Sequence, residues 1–141
     1  MITPTNCPAL VVDDVGMMTL LLTQVLRKLG YTEVDRATDP KTALQMIEQK
    51  KYGLVLSDIH MEPGGGFELL RQVRANPSTS STPFIFVTGE ISADYVERAK
   101  TAGASGYTLK TVGPFEMMEN IRYALTAGPH APFCTLSIAS L

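Results

Sequence analysis

Five short, mostly apolar runs alternate along the chain with five longer stretches in which apolar residues recur at helical spacing. The runs cover residues 9–13, 33–37, 53–58, 83–88 and 105–110. The first, third and fourth are almost continuously apolar, which is typical of strands buried on both faces of a parallel sheet. The second run is short and polar, which predicts a strand at an edge of the sheet.

Five helices are predicted between and after these strands. The first is expected over residues 15–29, where Met18, Leu22, Val25 and Leu29 form one apolar stripe. The others are expected from Asp39-Pro40 onward, over 67–75, between Ser92 and Gly103, and over 114–127, the last with Met118, Ile121 and Leu125 inward.

Strict strand–helix alternation implies parallel strands joined by right-handed crossovers, with helices on both faces of the sheet. The predicted fold is therefore α/β: a flavodoxin-like, three-layer (βα)₅ sandwich with a five-stranded parallel sheet in the order 2-1-3-4-5. The predicted domain covers residues 1–127. Residues 128–141 lie outside the alternation as a C-terminal tail, either flexible or packed on the domain or a partner. Leu136 and Ile138 alternate with polar residues there, a weak indication of a strand.

Composition narrows the classes of partner. The chain has 141 residues, 18% of them charged, and a net charge of −2 from 12 basic and 14 acidic residues. Without an excess of Lys and Arg, electrostatic binding of nucleic acid or anionic lipid is not expected. Cys7 and Cys134 fit neither a disulfide framework nor a metal cluster. No signal peptide or apolar run of about 20 residues is found, so we expect a cytoplasmic protein without membrane insertion.

Polar side chains stand at the ends of four predicted strands. These are Asp13 and Asp14 after the first, Asp58 after the third, Thr88 after the fourth and Lys110 after the fifth. Because ligands of open α/β sheets bind at the carboxyl ends of the strands, these side chains are expected to share one site. Neighbouring carboxylates repel each other, and Mg²⁺, which prefers oxygen ligands, relieves that repulsion. An aspartate beside Mg²⁺, a lysine and a hydroxyl fits phosphoryl transfer onto the carboxylate.

Four motifs carry a family resemblance. They are Leu-Val-Val-Asp-Asp (10–14), Ser-Asp-Ile-His-Met (57–61), Phe-Val-Thr-Gly-Glu (86–90) and Gly-Tyr-Thr-Leu-Lys (106–110). In this order, at strand ends, they resemble the receiver domains of two-component response regulators, and among them the stand-alone, chemotaxis (CheY-like) type. The resemblance covers about residues 8–126.

The resemblance implies a role for each residue of the site. Asp58 would accept the phosphoryl group from a sensor histidine kinase or a phosphotransfer protein. Mg²⁺ would be held by Asp13, Asp14, Asp58 and the main-chain carbonyl of His60, and Lys110 would pair with the acceptor. Thr88 and Tyr107 would form the switch that changes a surface recognised by an unidentified downstream protein, although Tyr107 fits a plain packing role equally well. Such a protein is not an enzyme beyond its own Mg²⁺-dependent phosphorylation and dephosphorylation.

The chain departs from the family pattern at two loops. The proline after Asp58 comes one place late, at Pro63, and three glycines follow it. After Lys110, three residues (111–113) precede the Pro-Phe pair that the family usually has directly after the lysine. This second departure makes the position of Lys110 harder to predict. It also keeps open an alternative, a receiver-like interaction module that works without phosphorylation.

Two enzyme-like alternatives fit the motifs less well. Small phosphatases of related topology usually carry Asp-x-Asp on the first strand, whereas Asp13 and Asp14 are adjacent here. A nucleotide-binding fold would need a glycine-rich phosphate loop after that strand, and the sequence there is Asp-Asp-Val-Gly.

Overall fold

A computed structural model describes residues 7–62 and 64–127, so the predicted tail, with Leu136 and Ile138, lies outside the described residues. The strands are β1 (Ala9–Val12), β2 (Val34–Ala37), β3 (Leu54–Ser57), β4 (Phe84–Thr88) and β5 (Gly106–Leu109). The helices are α1 (Gly16–Lys28), α2 (Pro40–Gln49), α3 (Gly65–Ala75), α4 (Ala93–Ala102) and α5 (Pro114–Ala127). Each helix in the described part of the chain is too short or too polar to span a bilayer.

The sheet has the predicted topology. All four strand pairings are parallel, and the order is β2-β1-β3-β4-β5. As predicted, β2 is an edge strand, and three of its four residues keep some exposure, whereas β1, β3 and β4 are fully buried. Because the strands are parallel, all of them end at one side of the sheet, which we call the carboxyl edge.

The apolar core forms two layers, one on each face of the sheet. On one face, strand residues such as Val11 and Ile85 pack against Leu26 of α1 and Ile121 of α5. The opposite face packs against α2, α3 and α4, as the shared cluster of strand and helix residues shows. The three-layer sandwich leaves the carboxyl edge uncovered by helices, so side chains that follow the strands meet there.

The observed helices differ from the predicted ones in small ways. Helix α1 begins and ends one residue inside its predicted span, and α3 begins two residues earlier than predicted, at Gly65. In α5 the deeply buried methionine is Met117, not Met118, which is only partly buried. Ile121 and Leu125 are buried as predicted, and Met117 and Ala124 join them on the face that packs against the sheet, which leaves Met118 at the margin of that face.

Gly66 is the second residue of α3, where the chain that follows β3 enters the helix. It lies directly against the main chain of Asp58. Its N–H donates to the Ile59 carbonyl at 2.8 Å. A Cβ atom there would lie 2.2 Å from the Asp58 carbonyl oxygen and 2.9 Å from the Phe86 ring. Only glycine therefore fits, because the nearest neighbour is backbone that has no freedom to move aside.

We expect Gly66→Ala to lower the free energy of unfolding by about 3 kcal/mol, because the added methyl group overpacks a buried contact with the main chain. Urea denaturation measures the change. Gly16→Ala is the matched control: nothing lies within 4 Å of the added atom, so that variant should unfold at or slightly above the wild-type midpoint. Equal midpoints for Gly66→Ala and wild type would contradict this account of the loop.

Candidate functional site

Three carboxylates meet at the carboxyl edge. Asp13 and Asp14 directly follow β1, and Asp58 directly follows the neighbouring strand β3. One carboxylate oxygen from each lies within 4.8 Å of the others. Asp13 is fully buried, Asp58 is 6% exposed and Asp14 is open to solvent. The three side chains therefore form an acidic site that is buried at Asp13 and Asp58 and open to solvent at Asp14.

Main-chain groups fix the two buried carboxylates. The N–H of Ile59 donates to Asp58 Oδ1 at 2.7 Å, and the N–H of Val15 donates to Asp13 Oδ1 at 2.9 Å. The backbone is held as well, because the Asp58 N–H donates to the Val12 carbonyl at 3.0 Å across the two strands. These main-chain donors bind the Oδ1 atoms, so the Oδ2 atom of each carboxylate remains available for other contacts.

Lys110 supplies a positive charge to both Oδ2 atoms. Its Nζ lies 2.9 Å from Asp58 Oδ2 and 3.0 Å from Asp13 Oδ2. Partial burial alone would lower the lysine pKa, but the hydrogen bond to Asp58 and the ion pair with Asp13 outweigh it and raise that pKa above its usual value. Lys110 is therefore protonated at neutral pH.

The three extra residues after Lys110 do not displace it. The Lys110 N–H donates to the Thr88 carbonyl at 2.8 Å, which keeps the lysine in register with β4. The chain then turns over residues 111–113, and α5 begins at Pro114. The three inserted residues therefore lie in the turn between Lys110 and α5, after the lysine and before the helix.

The surroundings of Asp13 disfavour its charged form. Burial raises its pKa; the Val15 N–H and Lys110 oppose that rise, and the Asp58 charge adds to it. Its Oδ2 is fully buried and accepts no hydrogen bond of regular geometry, although Lys110 lies close by. A buried carboxylate oxygen in this state, among two further carboxylates, has the chemistry of a ligand for a hard cation such as Mg²⁺.

Thr88 and Tyr107 converge on the loop after β4. Thr88 is fully buried, and its Oγ1 accepts from the Glu90 N–H at 3.3 Å. The Tyr107 ring is 2% exposed, and its hydroxyl donates to the Glu90 carbonyl at 2.6 Å. Burial raises the pKa of the Tyr107 phenol, so it stays protonated as a donor. The two predicted switch residues are thus linked through the main chain of Glu90.

Tyr107→Phe is expected to lower the free energy of unfolding by about 1–2 kcal/mol, because the Glu90 carbonyl loses the donor seen here while the ring packing is kept. Urea denaturation gives the change. Tyr123→Phe, at a side chain that is 53% exposed, is the matched control and should leave the midpoint unchanged. Equal losses in both variants would show that the Tyr107 hydroxyl contributes nothing particular.

An open cavity of about 600 Å³ adjoins the acidic site, and sequence analysis did not identify it. Asp14, His60 and Tyr95 are among the residues that line it. The His60 Nε2 lies 3.7 Å from the nearest Glu90 carboxylate oxygen, and the Arg98 guanidinium lies 4.3 Å from the centre of the Phe67 ring. Asp14 and His60 were already predicted to lie at the acidic site, whereas Phe67 of α3 and Tyr95 and Arg98 of α4 belong to no motif that connects them with it.

The response regulator receiver domain model matches residues 9–122 of this chain. The chemotaxis protein CheY of Pseudomonas aeruginosa is 36% identical over 101 residues, which is 72% of this chain and 82% of that protein. A CheY-like receiver domain protein from Methanospirillum hungatei superposes with a TM-score of 0.75 at 31% identity, covering 85% of this chain and 94% of that one.

The structure of chemotaxis protein CheY4 of Vibrio cholerae gives a TM-score of 0.77 at 27% identity, with 84% of this chain and 98% of that one covered. Sequence and fold therefore agree over the part of the chain that contains the acidic site. The protein belongs to the response regulator receiver domain family, in its CheY-like branch within two-component systems.

Proposed function

We propose that this chain is a single-domain response regulator, with its receiver domain over residues 1–127, and that it accepts a phosphoryl group on Asp58. The observation that carries the proposal is the pair of contacts from Lys110 Nζ to Asp58 Oδ2 and Asp13 Oδ2, at 2.9 and 3.0 Å. A lysine shared by an acceptor carboxylate and a second buried carboxylate is suited to phosphoryl transfer, which depends on positioning and charge neutralisation.

The transfer needs few chemical steps from the protein. A carboxylate oxygen of Asp58 forms a bond to phosphorus as the phosphorus–nitrogen bond of a donor phosphohistidine breaks, and the histidine nitrogen leaves with the electron pair. The Ile59 N–H orients the acceptor, and Lys110 neutralises charge on the transferred oxygens. Hydrolysis of the acyl phosphate by water returns the carboxylate, so the protein catalyses only its own modification.

Mg²⁺ fits the residues present. Receiver domains bind Mg²⁺ in an acidic pocket, and here Asp13, Asp14 and Asp58 supply the carboxylates. The carbonyl of His60 completes the proposed set of protein ligands. When bound, the cation would neutralise the carboxylates and the incoming phosphoryl oxygens. Asp13 contributes most, since its buried Oδ2 has no hydrogen-bond donor of regular geometry in the described structure.

CheY-like receiver domains are signalling modules that act through histidine kinases and downstream targets. For this chain we infer that phosphorylation changes the positions of Thr88 and Tyr107, which meet at Glu90. The affected surface would be that of α4, β5 and α5, because β5 carries Tyr107 and the Glu90 loop leads into α4. We further propose that the partner is a protein and not a nucleic acid, and that the protein is located in the cytoplasm.

Acetyl phosphate tests the proposal without a cognate kinase. The protein is incubated with acetyl phosphate and Mg²⁺, and its intact mass is measured with and without EDTA. We expect one phosphoryl adduct that forms with Mg²⁺, is suppressed by EDTA and maps to Asp58. No adduct under these conditions, and none from a panel of phosphorylated histidine kinases, would favour the phosphorylation-independent interaction module instead.

A further inference from the structure

Six large apolar side chains are exposed in the described part of the chain, and four of them lie at the beginnings of two helices. Val15 and Phe115 flank the first residues of α1 and α5, and Met17 and Leu20 lie on the first turns of α1. Their exposed fractions are 48%, 76%, 78% and 47%. We call these four residues the α1–α5 patch.

The patch lies on one side of the molecule. Both helices begin at the carboxyl edge, after β1 and β5, and both pack on the same face of the sheet, where Leu22 and Ile121 share one core cluster. Helix α1 packs directly against α5. Four exposed apolar side chains at the starts of two helices that pack together are typical of a surface that something else covers.

The sequence after α5 has the composition of such a cover. Residues 128–141 contain no Asp, Glu, Lys or Arg, although 18% of the whole chain is charged. Four large apolar residues stand there: Phe133, Leu136, Ile138 and Leu141. A solvated tail is normally rich in charge and poor in large apolar residues, and this segment is the opposite.

The segment is also long enough to reach the patch. Helix α5 runs from the carboxyl edge to the opposite edge, a length of roughly 21 Å at about 1.5 Å per residue. The described helix ends at Ala127, directly before Gly128-Pro129 in the sequence. In extended form the residues up to Leu141 span roughly 46 Å at about 3.3 Å per residue, about twice the length needed to return along α5.

We propose that residues 133–141 pack back onto the α1–α5 patch of the same molecule and cover its apolar side chains. This inference does not depend on phosphorylation of Asp58. Its occupant is chosen over a second copy or another protein because the apolar segment is tethered to the same molecule within reach of the patch, which gives it a high effective concentration there.

Cys134 provides a direct test within the full-length protein. In Cys7→Ser it is the single remaining thiol, and a nitroxide spin label attached to it broadens the amide signals of nearby residues in ¹⁵N spectra. We expect selective broadening at Met17, Leu20 and Phe115. Broadening confined to the end of α5 would overturn the proposal. Broadening of ¹⁵N-labelled, spin-free protein mixed with spin-labelled, ¹⁴N protein would show that a second copy is the occupant instead.

A second measurement avoids the label. Leu136→Ser with Ile138→Ser should speed amide hydrogen exchange in the first turns of α1 at least severalfold, because the cover is weakened. Exchange rates equal to wild type would count against the proposal. In the labelled protein, Met17→Ser should abolish the selective broadening, whereas Ile91→Ser, an apolar residue that is 66% exposed outside the patch, should preserve it.

Discussion

Asp58→Asn is expected to abolish the phosphoryl adduct that forms with acetyl phosphate and Mg²⁺, while the protein stays folded. The amide has nearly the shape of the carboxylate, and its oxygen can still accept from the Ile59 N–H. It lacks the anionic oxygen that attacks phosphorus. Intact mass after incubation measures the adduct, and circular dichroism with urea denaturation measures the fold.

Asp94→Asn is the matched control for this loss. Asp94 is an exposed carboxylate in the first turn of α4 and is not one of the three carboxylates that meet at the acidic site. Its variant should be labelled at the wild-type rate, which shows that the loss in Asp58→Asn does not come from a general change in charge. A full adduct on Asp58→Asn would place the acceptor at another residue and remove the basis of the proposed function.

The fold was predictable because the pattern of apolar residues in the sequence matches the burial of the strands in the structure. The runs that became β1, β3 and β4 are continuously apolar, as strands covered on both faces must be. The polar second run became the edge strand β2. The choice between Met117 and Met118 was not predictable, because both are apolar and the rotation of α5 is set by its packing on the sheet.

The composition of the acidic site was predictable for a topological reason. Parallel strands all end at the same edge, so Asp13, Asp58 and Lys110 had to come close once the strands were identified. The insertion after Lys110 made its position uncertain from sequence. The structure shows that β4 pairing holds the lysine before the extra residues begin.

Contacts among the loops and helices around the site were not predictable. The hydroxyl bond from Tyr107 to the Glu90 carbonyl and the stacking of Arg98 on Phe67 depend on the paths of the β4–α4 and β3–α3 connections. These connections have no hydrophobic period. The three glycines after Asp58 were a visible signal, and the structure gives Gly66 its reason, a close approach to the Asp58 carbonyl.

Asp13→Asn is expected to stabilise the metal-free protein and to remove its stabilisation by Mg²⁺. In EDTA at neutral pH the free energy of unfolding should rise by about 1 kcal/mol, because a buried charge is replaced by a neutral isostere and Lys110 keeps Asp58 as its partner. Wild type should gain about 2.7 kcal/mol at a Mg²⁺ concentration of 100 times Kd. The variant should gain almost nothing, as seen by urea denaturation with and without Mg²⁺.

The pH dependence separates this explanation from a general gain in stability. Burial raises the pKa of Asp13 in the folded state, so folding favours its protonated form. The stability of wild type relative to the variant is therefore greatest below the unfolded-state pKa of about 3.9, and it falls as pH rises through the higher folded-state pKa. The advantage of Asp13→Asn should be small in acid and complete at neutral pH. An advantage independent of pH, or a variant that still gains the wild-type increment from Mg²⁺, would show that the buried Asp13 carboxylate is neither the source of the strain nor the ligand.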